Sequence, residues 1–215
     1  QINDYRENME DRFEQRNNEL ANALTDLRNI DSQMQKQLDL ASLIQKSILQ
    51  KTINDWNELK FAVRHIGMEK IGGDFYDVIS LKNNKIGVMI ADVSGHGIPA
   101  SLITTMAKIS FDNAGSKYDS PRRIFQFVNQ NILEHIKSQD YISCFLVSID
   151  DEYNIVYSNA SHQKGILLRN ENASKNPMIE HLDTEGLFIG AIDEARNSYK
   201  EETNKLDYGD RIILY

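Results

Sequence analysis

Two aspartates at the ends of neighbouring apolar segments are the residues of this chain best placed to do chemistry. Asp74 follows a pair of glycines and Asp92 precedes another pair; these are Gly72, Gly73, Gly95 and Gly97. The turn-like segment 81–85 predicts a hairpin, which would bring the two aspartates to one end of a sheet. Neighbouring carboxylates repel each other unless a cation lies between them. The pattern therefore predicts a divalent-metal site, and two ordinary acidic turns on a sheet edge are the alternative.

Composition narrows the class of protein. The chain has 215 residues, 40% of them hydrophobic, and a formal net charge of −8. This acidic balance disfavours nucleic-acid binding. A single cysteine, Cys144, forms no internal disulfide, which fits a reducing, cytoplasmic location and leaves open a membrane anchor upstream. The chain starts with Gln1 and stops at Tyr215 within an apolar run, which suggests a piece of a longer protein.

Residues 1–51 contain no glycine or proline and repeat apolar residues with a helical period. One series recurs every seven residues, and a second series is offset from it by three and four. The two series are Phe13, Leu20, Leu27, Met34, Ala41 and Ile48, and Ile2, Met9, Arg16, Ala23, Ile30, Gln37 and Ile44. This seam predicts a parallel coiled-coil dimer that acts as a signalling linker. Association of the dimer would be weakened by Arg16 and Gln37 in the seam and by the like-charged pair Asp26 and Asp31. A single amphipathic helix lying on its own globular domain is the alternative.

Residues 52–215 form the predicted globular domain, in which strands precede and follow two helices. The predicted strands are 60–69, 74–81, 85–93, 141–149, 154–159, 165–169, 178–182, 198–206 and 211–215. One helix is predicted from Pro99 to about Phe111. A second follows Ser120, which can cap a helix, and Pro121, which suits a first helical turn. With a polar loop at 170–177, this order predicts a layered α+β fold rather than a doubly wound sheet.

Two motifs resemble those of the SpoIIE/RsbU branch of the metal-dependent, 2C-like (PPM) protein phosphatases: Gly72-Gly73-Asp74-Phe75-Tyr76-Asp77 and Ala91-Asp92-Val93-Ser94-Gly95-His96-Gly97-Ile98-Pro99-Ala100. Further similar stretches are 38–49, 187–190, 208–215 and Asn159-Ala160-Ser161-His162, where serine replaces the family's glycine. His162, at the end of this motif, is predicted to have a structural role. The resemblance implies an α-β-β-α sandwich of two mainly antiparallel sheets flanked by helices. Its C-terminal part, with two more aspartate ligands, would follow Tyr215.

The resemblance also implies a site for two Mn²⁺ or Mg²⁺ ions. Asp92 would bridge the ions, assisted by the backbone carbonyl of Val93, and Asp74 would hold one ion directly or through water. Asp77 and His96 would support these ligands. The glycines that would leave room for the phosphate are Gly72, Gly73, Gly95 and Gly97.

The implied function is that of a regulated signalling enzyme. It would hydrolyse phosphoserine or phosphothreonine on a STAS-type anti-anti-sigma regulator, respond to an upstream sensor domain and form a homodimer through its N-terminal helix. A non-catalytic phosphoprotein-binding module on a degenerate phosphatase fold is the alternative. Because the remaining ligands would follow Tyr215, residues 1–215 are expected to hydrolyse little phosphate ester alone.

Overall fold

The computed structural model describes residues 2–49, 53–66, 70–136, 140–170 and 178–215. Most of the loop predicted at 170–177 and the end of the strand predicted at 60–69 lie outside these ranges. The chain divides into two compact units, one ending at Ile44 and the other spanning Gln45–Tyr215. The predicted division after residue 51 differs because the last turn of the first helix belongs to the globular unit.

The first element is one long helix, α1 (Ile2–Leu49), whose sequence lacks the residues that interrupt helices. Many of its apolar side chains are exposed to solvent, among them Met9, Phe13, Leu20, Leu27, Ile30 and Met34. The predicted helix is confirmed, and the coiled coil remains a prediction. Within the described residues, no helix combines the length and the apolar composition needed to cross a membrane.

Two antiparallel sheets form the centre of the globular unit. The larger sheet has the order β1-β2-β3-β4-β7, and the smaller sheet has the order β6-β5-β8. The strands are β1 (Phe75–Leu81), β2 (Lys85–Val93), β3 (Ile142–Ile149), β4 (Asn154–Ala160), β5 (Gly165–Arg169), β6 (Met178–Leu182), β7 (Glu202–Lys205) and β8 (Arg211–Ile213). Asn83 and Asn84 close the β1–β2 hairpin with positive φ angles of 61° and 55°, which asparagine adopts more readily than most residues.

Two helices cover one face of the larger sheet, α2 (Gly97–Lys117) and α3 (Pro121–His135). The predicted cap of α3 is confirmed, because the Ser120 hydroxyl accepts a hydrogen bond from the Arg123 backbone N–H at 3.2 Å. One apolar core lies between the helices and the larger sheet, and a second lies between the two sheets. The α+β fold with two antiparallel sheets is therefore confirmed.

Two of the predicted strands were wrong in part. Residues 61–66 form no strand, although Phe61 packs against the core between the sheets. The strand predicted at 198–206 is confined to β7, because Tyr199 turns into the helix-side core and the Lys200 N–H donates to the Glu185 carbonyl at 3.2 Å. In both places tertiary contacts override the local preference for extended structure.

Candidate metal and phosphate site

The register of the β1–β2 hairpin places the two aspartates opposite each other. Phe75 pairs with Ala91, so Asp74 and Asp92 lie one step farther along the same ladder. On the next strand, Asp92 pairs with Ser143. Directly paired residues point to the same face of a sheet. For Asp92 and Ser143 this is the face turned toward the smaller sheet, because side chains on that face of β3, such as Phe145, pack in the core between the sheets.

The two carboxyl groups interact directly. Partial burial, a hydrogen bond with the Asp74 carboxyl and the negative charge of Asp74 raise the pKa of Asp92 to about 6. Without a cation, ionisation of both carboxyl groups is therefore less favourable than for separate aspartates. The predicted meeting of Asp74 and Asp92 is confirmed as geometry, and a divalent ion would relieve their repulsion.

A glycine brings the backbone of the Asp74 segment against β2. A Cβ atom on Gly73 would lie 2.6 Å from the carbonyl oxygen of Val93, so only glycine fits there without movement. Ile142 exchanges both of its backbone hydrogen bonds with Ile189, at 2.8 and 2.9 Å. The Val93–Ile142 pair is therefore of the non-hydrogen-bonded kind, and the Val93 carbonyl points toward Gly73, beside the aspartates.

Side chains from two helices hold the same glycine segment. Gln45, in the last turns of α1, donates to the Gly72 carbonyl at 2.7 Å and accepts from the Gly72 N–H at 3.3 Å. Thr104 of α2 donates to the Gly73 carbonyl at 3.0 Å. The backbone that precedes Asp74 is thus fixed by three hydrogen bonds to helices.

The loop after Asp92 contains the other two predicted glycines. Gly95 and Gly97 have positive φ angles of 88° and 71°, conformations that favour glycine over other residues. Ser94 anchors the loop, because its N–H donates to the Tyr141 carbonyl at 2.8 Å and its hydroxyl accepts from the Tyr141 N–H at 2.9 Å. His96 is exposed and comes directly before α2 without capping it by its side chain. Its supporting role therefore remains a prediction.

Asp77 lies elsewhere, and this corrects the expectation that it supports the metal ligands. It shares with Phe75 the helix-side face of the sheet, opposite the face of Asp74. There it is buried and forms an ion pair of 2.5 Å with Lys108 of α2. A second carboxylate, that of Asp112, lies 2.6 Å from the same ammonium group. Burial lowers the pKa of Lys108, but hydrogen bonds to Asp112 and Asp77 outweigh this effect and raise it.

The sequence did not place His162 at the site, but the structure brings it close. Its Nδ1 atom is 2.7 Å from the hydroxyl of Ser143, the residue paired with Asp92. Burial lowers the pKa of His162, while the Tyr215 backbone and the charge of Asp74 oppose that shift. Ser161 has a positive φ of 55°, a conformation that glycine adopts more readily than serine. The motif was visible in the sequence, but its position depended on the sheet register.

The donors at this site suit Mn²⁺ or Mg²⁺. Carboxylate and carbonyl oxygens are the ligands that such hard cations prefer. The Val93 carbonyl lies against Gly73, beside the carboxylate pair. Within the described parts of the chain, no group of three or more histidine, cysteine, aspartate or glutamate residues could hold a metal. The metal-ligand roles of Asp74, Asp92 and the Val93 carbonyl therefore remain predictions.

Comparisons with known proteins identify relatives of this chain. Residues 82–215 match the profile of a family described as stage II sporulation protein E (SpoIIE). The phosphoserine phosphatase RsbU of Bacillus subtilis is 24% identical over 190 residues, which cover 88% of this chain and 55% of RsbU. The phosphoserine phosphatase RsbP of the same organism is 23% identical over 83% of this chain and 45% of RsbP. The chain thus spans about half the length of these relatives.

Solved structures share the fold. The SiaA-PP2C domain of Pseudomonas aeruginosa has a TM-score of 0.65 and 21% identity, over 85% of this chain and 71% of that chain. The structure of the PP2C phosphatase domain of SpoIIE from Bacillus subtilis, with a fragment of its regulatory domain, has a TM-score of 0.51. It is 19% identical over 65% of this chain and 40% of that chain.

Proposed function

The chain belongs to the SpoIIE family, and from that premise we propose that it is part of a metal-dependent phosphatase that removes phosphate from serine or threonine of a regulator protein. The observation that carries the proposal is the Asp74–Asp92 pair, two carboxyl groups that the hairpin register places opposite each other. Asp92 and the Val93 carbonyl would bind Mn²⁺ or Mg²⁺, and Asp74 would complete this side of the site. A complete site for two ions would need further oxygen ligands.

The residues of this chain would bind the metal ions and orient the phosphate. A Cβ atom on Gly72 would meet nothing within 4 Å, so Gly72 and the glycine-rich loop after Asp92 would leave space for a phosphate. Gln45 and Thr104 hold the Gly72–Gly73 backbone in place. Divalent ions bound here would supply positive charge for the phosphoryl group and hydroxide at neutral pH.

The test uses the full-length protein. Its hydrolysis of a phosphoserine peptide should require Mn²⁺ or Mg²⁺, and Asp92→Asn should reduce kcat by at least ~100-fold. Asp151→Asn changes an exposed aspartate in the β3–β4 turn and serves as the charge-matched control. Metal-independent hydrolysis would contradict the proposal. Tight phosphopeptide binding without hydrolysis would instead show a non-catalytic binding module.

We also propose that α1 controls this site. Gln45 belongs to α1 and binds the backbone next to Asp74, so a change in the last turns of the helix would act directly on a ligand segment. The exposed apolar residues of α1, such as Phe13, Leu20 and Leu27, would pair with a second copy of the chain in a homodimer. An upstream sensor domain would act through this helix.

The regulator that we propose as substrate is a phosphorylated STAS-type protein. The similarity to the phosphoserine phosphatases RsbU and RsbP supports phosphoserine as the group that is hydrolysed, and the STAS class follows from the motif resemblance alone. The buried, unpaired thiol of Cys144 is consistent with a cytoplasmic location for this part of the protein. Incubation of the full-length protein with a phosphorylated STAS protein, followed by intact mass measurement, would test the substrate class.

A further inference from the structure

The hydroxyl of Ser143 and the imidazole of His162 form a pair beside the metal site that the proposed ligand set does not use. Ser143 lies opposite Asp92 on the neighbouring strand. Opposed residues of an antiparallel pair have Cβ atoms about 4.5–5.5 Å apart. The Ser143 and Asp92 side chains therefore lie side by side on the same face of the sheet, and the Ser143 hydroxyl is 2.7 Å from Nδ1 of His162.

The turn that carries His162 is itself held firmly. The His162 backbone N–H donates to Oδ1 of Asn159 at 2.7 Å, and its carbonyl accepts from Nδ2 of Asn159 at 3.0 Å. Asn159 also donates to Asp183 at 2.9 Å, and its backbone N–H donates to the Thr184 hydroxyl at 2.8 Å. This network fixes the imidazole at one place relative to β3 and β4.

One ring nitrogen of His162 is not accounted for by the described hydrogen bonds. Its Nε2 atom is buried and has no hydrogen-bond partner of good geometry among the described residues, although the Tyr215 backbone lies near it. Buried polar atoms without a partner are uncommon in folded proteins.

We propose that Ser143 and His162 are positioning residues of the metal site: His162 orients the Ser143 hydroxyl, which holds the hydration shell of a divalent cation beside Asp92. When Nδ1 accepts the hydroxyl proton, the Ser143 oxygen keeps lone pairs for a donor such as a water molecule at the cation. Substitution of residues that support metal ligands in this way commonly lowers metal affinity by 10- to 100-fold. The inference rests on the proposed function, since it assumes that Asp92 binds a metal.

The test compares substitutions of equal shape in the full-length protein. Ser143→Thr keeps the hydroxyl and Ser143→Val replaces it with a methyl group, and both residues suit a strand. Mn²⁺ binding is measured by calorimetry, and unfolding of the metal-free protein is followed in parallel. Ser143→Val should weaken Mn²⁺ binding by at least ~10-fold, while Ser143→Thr should remain within ~2-fold of the wild type.

Two further variants separate positioning from packing. His162→Asn retains a polar group near the Nδ1 position and should bind Mn²⁺ more tightly than His162→Phe, which has none. Ser158→Ala is the control. Ser158 is a buried serine on β4, and its hydroxyl, unlike that of Ser143, has no partner among the described residues. It should leave Mn²⁺ affinity unchanged.

Equal Mn²⁺ affinity in Ser143→Val and Ser143→Thr would overturn this inference alone. An equal loss of affinity in Ser158→Ala and Ser143→Val would also overturn it, since the effect would then be one of general packing. If the wild-type protein itself binds no Mn²⁺, the proposed function fails and this inference fails with it.

Discussion

The buried ion pair between α2 and β1 gives the sharpest prediction about the stability of this fold. The side chains of Lys108 and Asp77 are 2% and 3% exposed, and their charged atoms are 2.5 Å apart. Oδ2 of Asp77 has no hydrogen-bond partner of good geometry among the described residues, so the charge of Lys108 is what compensates it. Asp112, the other partner of Lys108, is 40% exposed and can be solvated by water.

We expect Lys108→Met to lower the free energy of unfolding by about 3–5 kcal/mol, the usual cost of leaving one charge of a buried pair without its partner. The double variant Lys108→Met/Asp77→Leu removes both charges and should return to within ~1 kcal/mol of the wild type, because apolar residues can replace a buried ion pair at little cost. Urea unfolding of the chain, followed by the fluorescence of its one tryptophan, Trp56, measures both.

The control for Lys108→Met is Lys85→Met, which breaks the pair of Lys85 with Asp119. That pair is 3.3 Å long with side chains 25% and 32% exposed, so its loss should cost less than ~1 kcal/mol. A cost below ~1 kcal/mol for Lys108→Met would refute the reasoning. So would a double variant no more stable than Lys108→Met alone.

Three other variants have expected outcomes. The raised pKa of Asp92 gives the metal-free protein stability at low pH that is lost as the pH rises through about 6. Asp92→Asn should therefore gain stability relative to the wild type between pH 4 and 7, as measured by thermal unfolding. A stability difference that does not change with pH would argue against the raised pKa. Gln45→Ala removes both bonds to the Gly72 backbone and should raise the Mn²⁺ concentration needed for half-maximal activity of the full-length protein; an unchanged requirement would exclude control through this contact. Replacing Arg16 and Gln37 with leucine should tighten the dimer in analytical ultracentrifugation, and monomers for both forms at high concentration would disprove the coiled coil.

The sequence determined the elements whose signals are local. Alternating or continuous apolar residues around two asparagines placed β1, β2 and their turn within a residue of the observed ends. Ser120 and Pro121 located the start of α3, because capping depends only on neighbouring backbone groups. The meeting of Asp74 and Asp92 was also predictable, since a short hairpin leaves few possible registers.

Only the tertiary structure decided which charged and polar side chains are buried and what they contact. Lys108 resembles a solvent-exposed helix residue in the sequence, and its burial depends on the approach of Asp77 from another element. The contact of Ser143 with His162 joins residues 19 positions apart and depends on the pairing of β3 with both of its neighbours. The physical reason is that local propensity acts over a few residues, whereas a buried charge needs a compensating partner, which can come from a distant part of the sequence.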